Sequence, residues 1–386
     1  MNKIIILFVL ITCSTQAVFS INKEKRMVKI GVASNFSDVT SNSYNPFGNS
    51  VRNGINFAIE DMYKEFEKRN IQLALLEYDY GSNLIEVRKV VKQAVKDNVV
   101  AVVGYEYSDH ALMAAPLHQK YHVPMLTPSA SADRLGQMGE YIHQGTFNNS
   151  YQGEILATIA LQKLKCKKVV SIVIANCAYC NDMNNAFSKE FKRKGGRIEK
   201  NYEVLEQEND FTYIARDIVK NIKNIDAIFI PNQELTSGHI IKTLLKNGIT
   251  KPFLGGDGWR NLGADFFKNP YIKKFHGYMT AHWHSKLPTK ESKEFVKRYQ
   301  SKYRNTPTDS AVLAYDSMRI LGKILLKAKT FSRLEIEREL TRIKSFRGVS
   351  GLFLFQQNKA PLKTIIVFRS TQTGFIIDEI LHPKKG

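Results

Sequence analysis

With 386 residues, the chain is long enough for two or three domains or one large two-lobed unit, and too long for a single ordinary core. Its hydrophobic content of 43% and charged content of 24% exclude a disordered or fibrous protein. The formal net charge of +20 would suit an anionic partner, but the basic residues are spread along helical segments beside acidic ones. We therefore expect no nucleic-acid partner and interpret the charge as a solvated basic surface.

Residues 1–20 have the pattern of a signal peptide. Lys3 supplies a positive charge, residues 4–11 form an apolar run too short to span a membrane, and cleavage can follow Ala17 or Ser20. The sequence thus predicts export to the periplasm or another extracytoplasmic compartment. Lipid anchoring through Cys13 is the less favoured alternative, because Thr12 fits poorly before a lipidated cysteine.

From residue 28 onward, short apolar strands alternate with amphipathic helices. In the first run, the apolar spacing of Val51, Ile55, Met62 and Phe66 marks one buried helical face. The first run predicts strands over 28–32, 71–78, 99–103 and 124–126, and helices over 51–66, 84–95 and 109–121. Such alternation is typical of a parallel sheet that is covered by helices on both faces.

The same alternation then restarts, which predicts a second, similar lobe. Its expected strands are 169–174, 197–204, 227–230 and 253–254, and its expected helices 153–163, 184–194, 211–220 and 237–247. The rest of the chain predicts helices over 290–303, 311–328 and 333–344, followed by strands over 351–355 and 364–368. The fold class is therefore α/β, with two doubly wound parallel-sheet lobes.

Ligands of open parallel sheets bind at the carboxyl ends of the strands, which here lead into the loops 104–109, 127–131 and 255–259. Ser108 at a helix start suits a carboxylate, while oxygens of Ser129, Ser131 and Asp257 suit an ammonium group. These loops are thus suited to an α-amino acid. Taken singly, each residue also has a plainer interpretation, as a helix cap or a turn former.

Three cysteines remain after the expected cleavage. Cys177 and Cys180 have the spacing of a local disulfide, although two reduced thiols would fit equally, and Cys166 has no obvious partner. No second pair completes a zinc site, and no nucleophile, base and orienting group fall together. The sequence therefore predicts no enzymatic activity, no metal and no cofactor.

Several ordered segments resemble one family, the type I periplasmic binding proteins, and within it the leucine/isoleucine/valine-binding branch of ABC-transporter receptors. The similarity runs from about residue 28 to 368, and the stretch from Val102 to Ser131 follows the family pattern without a gap. Other resembling segments are 29–32, Phe47-Gly48 with Gly54 and Ala58, Tyr179, Gly238 with Asn247-Gly248, 253–258 and Ala314-Tyr315-Asp316.

The resemblance implies a role for individual residues. Ser108 and Ser131 would hold the ligand carboxylate, and Ser129 (through its backbone), Ser131 and Asp257 would hold the ammonium group. Phe47 would line the cleft, and Tyr179 would close over the ligand from the second lobe. It also implies three hinge crossovers, near 146–149, 280–283 and 355–360. Lobe 1 would then combine 27–146 with 280–354, and lobe 2 would combine 147–279 with 355–386.

Some residues depart from the branched-chain pattern. Gln233 replaces a tyrosine, and Glu106 and Tyr107, with Ser310, fall at or near positions that are apolar or small in that branch. A buried carboxylate or amide facing an aliphatic ligand would be left unpaired, so the sequence predicts a ligand with a polar or cationic side chain. Alternatively, Glu106 turns outward or pairs with Arg260.

The resemblance favours one function over two others. We expect a receptor that binds a small molecule, an amino acid or similar ligand, and passes it to an ABC permease in the inner membrane. An extracytoplasmic sensor of amides or amino acids is the alternative, because the same fold serves both roles. An enzyme is not expected.

Overall fold

The computed structural model describes residues 25–38, 43–44, 46–81, 83–221, 224–260, 262–356 and 359–384. The predicted signal peptide and Cys13 lie outside these residues. The first passage of the chain comprises β1 (Arg26–Ser34), β2 (Ser37–Asp38), β3 (Ser43–Tyr44), α1 (Pro46–Lys68), β4 (Ile71–Asp79), α2 (Leu84–Lys96), β5 (Ala101–Gly104), α3 (Ser108–Lys120), β6 (Met125–Thr127) and β7 (Ile142–Gln144).

These elements form lobe 1 around a parallel five-stranded sheet with the order β4-β1-β5-β6-β7. Residues of β1 alternate between its two faces. Ile30 and Val32 join one apolar cluster with Val51 and Ile55 of α1, while Ala33 joins a second cluster with Val87 of α2. Helices therefore cover both faces of the sheet, as the alternating sequence pattern predicts.

The second passage forms lobe 2. It comprises α4 (Asn149–Thr158), continued by a π-helical segment over Ile159–Lys163, β8 (Lys168–Ile174), α5 (Ala178–Arg193), β9 (Arg197–Val204), α6 (Thr212–Asn221), β10 (Ala227–Phe229), α7 (Glu234–Lys246), β11 (Phe253–Gly255), α8 (Ala264–Lys268) and β12 (Gly277–Ala281). Strands β9, β8, β10, β11 and β12 are neighbours in that order and run parallel.

The third passage returns to lobe 1, and the chain then ends in lobe 2. The remaining elements are α9 (Lys290–Tyr303), α10 (Asp309–Lys327), α11 (Arg333–Arg342), β13 (Ser345–Gly348), β14 (Gly351–Gln356), β15 (Lys359–Lys363), β16 (Ile365–Ser370) and β17 (Phe375–Leu381). Helix α10 packs closely on α1, since a Cβ on Gly54 would lie 2.0 Å from the Ala311 carbonyl oxygen. Strands β16 and β17 extend the lobe 2 sheet in antiparallel pairing.

The two-lobed α/β fold is thus confirmed, and strand pairing locates the three crossovers. The first lies between β7 and α4, close to the predicted 146–149. The second follows Ala281, because β12 belongs wholly to the lobe 2 sheet. The third lies at Lys363–Thr364 rather than at 355–360, because β15 pairs with β14 and contacts β7 of lobe 1. Within the described ranges, no helix has the length and apolar character needed to cross a bilayer.

Candidate functional site

Two loops at the carboxyl ends of β5 and β6 form one wall of the cleft between the lobes. The Thr127 hydroxyl donates to the Tyr105 carbonyl oxygen at 2.9 Å, and the Ser129 hydroxyl donates to the Glu106 carbonyl oxygen at 3.0 Å. Both hydroxyl groups are buried. Because each loop is tied to the other by buried hydrogen bonds, this wall is held in place before any ligand arrives.

The start of α3 lies in this wall. Ser108 is the first residue of the helix, and its hydroxyl oxygen accepts a hydrogen bond from the Ala132 N–H at 3.2 Å. The side chain of Tyr107, which precedes the helix, makes no capping hydrogen bond to the first turn. The neighbouring Ser131 is buried, and its carbonyl oxygen accepts from the Asn149 N–H at the start of α4. A helix start of this kind can bind a carboxylate through its N–H groups.

A short disulfide-closed loop forms the opposing wall in lobe 2. Cys177 and Cys180 form a disulfide bond, which is one of the two states that the sequence left open. Cys166 is buried and free. Between the two bonded cysteines lies Ala178, whose N–H at the start of α5 donates to Oδ1 of Asp109 in lobe 1 at 3.4 Å. This bond joins the two lobes across the cleft.

Tyr179 lies in the same loop and points into the interior. Its hydroxyl oxygen accepts from the Gly258 N–H at 2.8 Å. Burial, together with the nearby Asp257 carboxylate, raises the pKa of Tyr179 well above its ordinary value. The hydroxyl group therefore stays protonated and is hydrogen-bonded to the Asp257 carboxylate.

Asp257 is buried in a set of protein donors. Its Oδ1 accepts from Gln152 Nε2 at 2.8 Å, and its Oδ2 lies 3.0 Å from His282 Nε2 and 3.3 Å from Arg260 Nη1. The Gln152 amide oxygen in turn accepts from the Thr280 hydroxyl at 2.8 Å. Burial would raise the pKa of Asp257, but His282, Arg260 and Gln152 outweigh it and hold that pKa below its ordinary range. Asp257 is thus an anchored carboxylate.

The same network reaches all three crossovers. Burial lowers the pKa of His282, whose Nε2 lies 3.0 Å from Oδ2 of Asp257 and whose Nδ1 lies 2.9 Å from the Thr146 hydroxyl oxygen. The backbone oxygen of His282 accepts from Nζ of Lys363, a fully buried lysine, at 2.8 Å. Thr146, His282 and Lys363 lie at the first, second and third crossovers respectively. Asp257 is therefore linked to the hinge by hydrogen bonds.

Arg260 forms a further bridge between the lobes. Its Nε lies 3.4 Å from Oδ2 of Asp309, at the start of α10 in lobe 1. Burial would lower the pKa of Arg260, but the carboxylates of Asp309 and Asp257 outweigh it and raise that pKa. The guanidinium carbon is 6.0 Å from the ring centre of Phe47, which packs on Tyr107 at 5.3 Å. Phe47 thus contributes to the wall that faces Arg260.

A cavity of about 770 Å³ opens between the two walls. Four of the predicted site residues line it, two from each lobe: Tyr107, Ser108, Tyr179 and Gln233. The other five, Phe47, Glu106, Ser129, Ser131 and Asp257, are not among its lining residues and lie around or behind it. The structure therefore brings the predicted loops together, but some of the predicted side chains line the cavity and others do not.

Glu106, which the sequence predicts to face a polar ligand, is not among the residues that line this cavity. It is 5% exposed, and its Oε2 accepts from the Tyr80 hydroxyl at 2.9 Å, behind the cavity wall. Burial raises its pKa to about 7, an effect that Tyr80 and the other nearby polar groups only partly offset. No ion pair joins it to Arg260 among the described residues. Because an ionised carboxyl group is costly to bury, the hydrogen bond from Tyr80 offsets part of that cost, and the role of Glu106 in ligand binding stays a prediction.

Sequence reasoning missed several residues of this site. Gln152 and His282 are 105 and 25 residues from Asp257 along the chain, so no local pattern connects them. Asp109 is the second residue of α3 and Asp309 the first of α10, which signals a helix start but no contact with the other lobe. Asp109 lies in a recognised segment and Arg260 directly after one, yet the sequence assigns neither of them to the contact between the lobes.

The comparisons with known proteins agree with this architecture. A sequence profile described as "Periplasmic binding protein" matches residues 27–374. The Leu/Ile/Val-binding protein of Escherichia coli K12 is 23% identical over 217 residues, which cover 56% of this chain and 58% of that protein. The Leu/Ile/Val-binding protein homolog 6 of Brucella suis is 24% identical over 272 residues, covering 66% of this chain and 65% of that protein. The chain therefore spans less than two thirds of the length of these relatives.

Solved structures are similar over nearly the whole chain. A leucine-binding protein from Thermotoga maritima has a TM-score of 0.81 and 25% identity, covering 92% of this chain and 99% of the other. A branched-chain amino acid transporter substrate-binding protein from Streptococcus pneumoniae, solved with isoleucine, has a TM-score of 0.79 and 26% identity, covering 93% and 100%. These proteins are named for ligand binding and not for a reaction, which confirms the prediction of a binding protein rather than an enzyme.

Proposed function

Since the chain belongs to the periplasmic binding protein family, we propose that it is an extracytoplasmic receptor that closes on an α-amino acid and delivers it to an ABC permease in the inner membrane. Membership of this family implies a location outside the cytoplasm and a solute-binding role. The amino-acid ligand is supported by two relatives, one named a Leu/Ile/Val-binding protein and the other solved with isoleucine.

The charge balance of the closed site is the observation that carries this proposal. Asp257 and Asp309 place two carboxylates around one guanidinium group, that of Arg260, where the lobes meet. The groups that join the lobes here therefore include more carboxylates than guanidinium groups. A buried charge requires a partner, and an α-ammonium group would supply it. The start of α3, with the Ser108 hydroxyl, is suited to the α-carboxylate of the same molecule.

Closure follows from the contacts between the lobes. The Ala178 N–H to Asp109 bond and the Arg260–Asp309 ion pair form only when the lobes meet. A ligand that bridges the same two walls adds contacts only to this closed state. Binding therefore shifts the equilibrium toward closure, by hinge motion about the crossovers that Asp257 reaches through His282.

A thermal-shift screen tests the proposal. The secreted chain, without its signal peptide, is incubated with each of the 20 amino acids, small amides and nucleosides in turn. A ligand that binds only the folded chain at 100 times its Kd stabilises it by about 2.7 kcal/mol, so at least one amino acid should raise the melting temperature. If amides or nucleosides raise it and no amino acid does, the amino-acid function is refuted.

The Ser108 side chain provides a matched test of the site itself. Ser108→Ala should weaken binding of the amino acid found in the screen by tenfold or more, since a hydrogen bond to a charged group contributes about 1.5–3 kcal/mol. Ser301→Ala, at an exposed position of α9, is the control and should leave the affinity unchanged. Equal affinities of the two variants in calorimetry would remove Ser108 from the site. Loss of uptake after deletion of a neighbouring permease, with binding intact, would distinguish transport from sensing.

A further inference from the structure

We infer that the side chain of the bound amino acid is long and cationic, of the lysine or arginine type. The inference rests on the proposed function and specifies its ligand. It follows from residues that the comparison with the branched-chain branch did not single out, namely three carboxylates that line the cleft.

The cavity lining has the opposite charge to the protein. Asp109, Glu206 and Glu234 all line it, and no lysine or arginine does so among the residues that the structure describes. The chain as a whole has a formal net charge of +20. Most of the protein has more basic than acidic residues, but the cavity lining has acidic ones. The lining therefore focuses a negative potential in the cleft, which attracts a cation and repels an anion.

These carboxylates come from both lobes, so closure brings them together. Asp109 is at the start of α3 in lobe 1, whereas Glu206 follows β9 and Glu234 begins α7 in lobe 2. Burial raises the pKa of Asp109, which lines the cavity from lobe 1. Closing the cleft around an aliphatic ligand would therefore concentrate like charges. A cationic side chain between them would offset that repulsion and couple binding to closure.

The remaining lining suits the rest of a long basic side chain. Leu112 and Met113 of α3 and Leu235 of α7 provide apolar surface on both walls. Lysine and arginine carry three or four methylene groups beneath the charged end, and these pack on apolar surface while the charge remains among polar groups. Tyr107 adds an aromatic face, to which a cation is also attracted.

Arg260 lies outside the cavity lining, although its charge acts on Tyr107 and Glu234 in that lining. Its guanidinium group is already paired with Asp257 and Asp309. Glu234 lies close enough to contribute to raising the pKa of Arg260, so part of its charge is offset there. The Ala178 N–H and His110 lower the pKa of Asp109, but burial outweighs them. In the described part of the chain, three carboxylates and no lysine or arginine therefore line the cavity.

Calorimetry with lysine and norleucine tests the inference, because these ligands differ only in the terminal ammonium group. Lysine should bind at least tenfold more tightly than norleucine to the secreted chain, and the difference should shrink as salt is added. If norleucine or leucine binds as tightly as lysine, the cationic specificity is wrong while the amino-acid receptor stands. If no amino acid binds at all, the proposed function fails and this inference fails with it.

Two charge-neutralising variants assign the effect to the lining. The double variant Asp109→Asn with Glu234→Gln should lose most of the preference for lysine, measured as the ratio of the lysine and norleucine affinities of the same variant. Asp265→Asn removes a carboxylate whose side chain is 96% exposed and serves as the control, with the preference retained. A double variant that keeps the full tenfold preference would show that the lining carboxylates do not select the cation.

Discussion

Replacing Glu106 by glutamine should remove a large pH dependence from the stability of the protein. The carboxyl group is 5% exposed, and burial raises its pKa from the ordinary 4.5 to about 7. Between these values the folded chain binds more protons than the unfolded chain. Stability is therefore lost as the pH rises from about 4.5 to about 7, and the loss persists above that.

The size of this loss follows from the two pKa values. A pKa unit corresponds to about 1.36 kcal/mol, so the raised pKa costs about 3 kcal/mol at pH 8 relative to pH 4.5. In Glu106→Gln, the amide oxygen can still accept from the Tyr80 hydroxyl, which donates to Glu106 at 2.9 Å. The variant keeps this hydrogen bond but has no charge to bury, so it should not show the loss.

Urea unfolding followed by circular dichroism at pH 4.5 and pH 8 measures the effect. The free energy of unfolding of wild type minus that of Glu106→Gln should fall by about 3 kcal/mol between the two pH values. All other titrating groups are shared by the two proteins and cancel in this difference. A change of less than about 0.5 kcal/mol would mean that Glu106 titrates normally, and that its burial behind the cavity wall is not as described.

Two further predictions concern the anchored carboxylate and export. Asp257→Ala should abolish ligand binding and lower the free energy of unfolding by about 3–5 kcal/mol in urea titration, because His282 and Arg260 lose a buried partner. An unchanged unfolding midpoint would contradict the hydrogen-bond network around Asp257. Amino-terminal sequencing of the secreted protein should begin at Val18 or Ile21, and retention of the initiating methionine would exclude cleavage.

The regular elements with strong periodicity could be predicted from the sequence alone. Helix α9 was predicted with the bounds that the structure shows, Lys290–Tyr303, because a cap at Thr289 precedes a clear amphipathic repeat. Strand β12 was missed, since its five residues carry no alternation and it is held by pairing with β11 and β16 on either side. The third crossover, predicted near 355–360, depends on pairing in the same way, because β15 is specified by its pairing with β14.

In the candidate site too, some features could be predicted from the sequence and others depend on the tertiary structure. The loops that carry Ser108, Ser129 and Asp257 could be located because they follow predicted strands, and parallel strands end at one edge of a sheet. The partners of their side chains could not, because Gln152, His282 and Asp309 reach the site only when distant segments and the two lobes pack together. Periodicity reports which face of an element is buried, whereas a buried charge is compensated by whichever groups the tertiary fold brings within hydrogen-bonding distance.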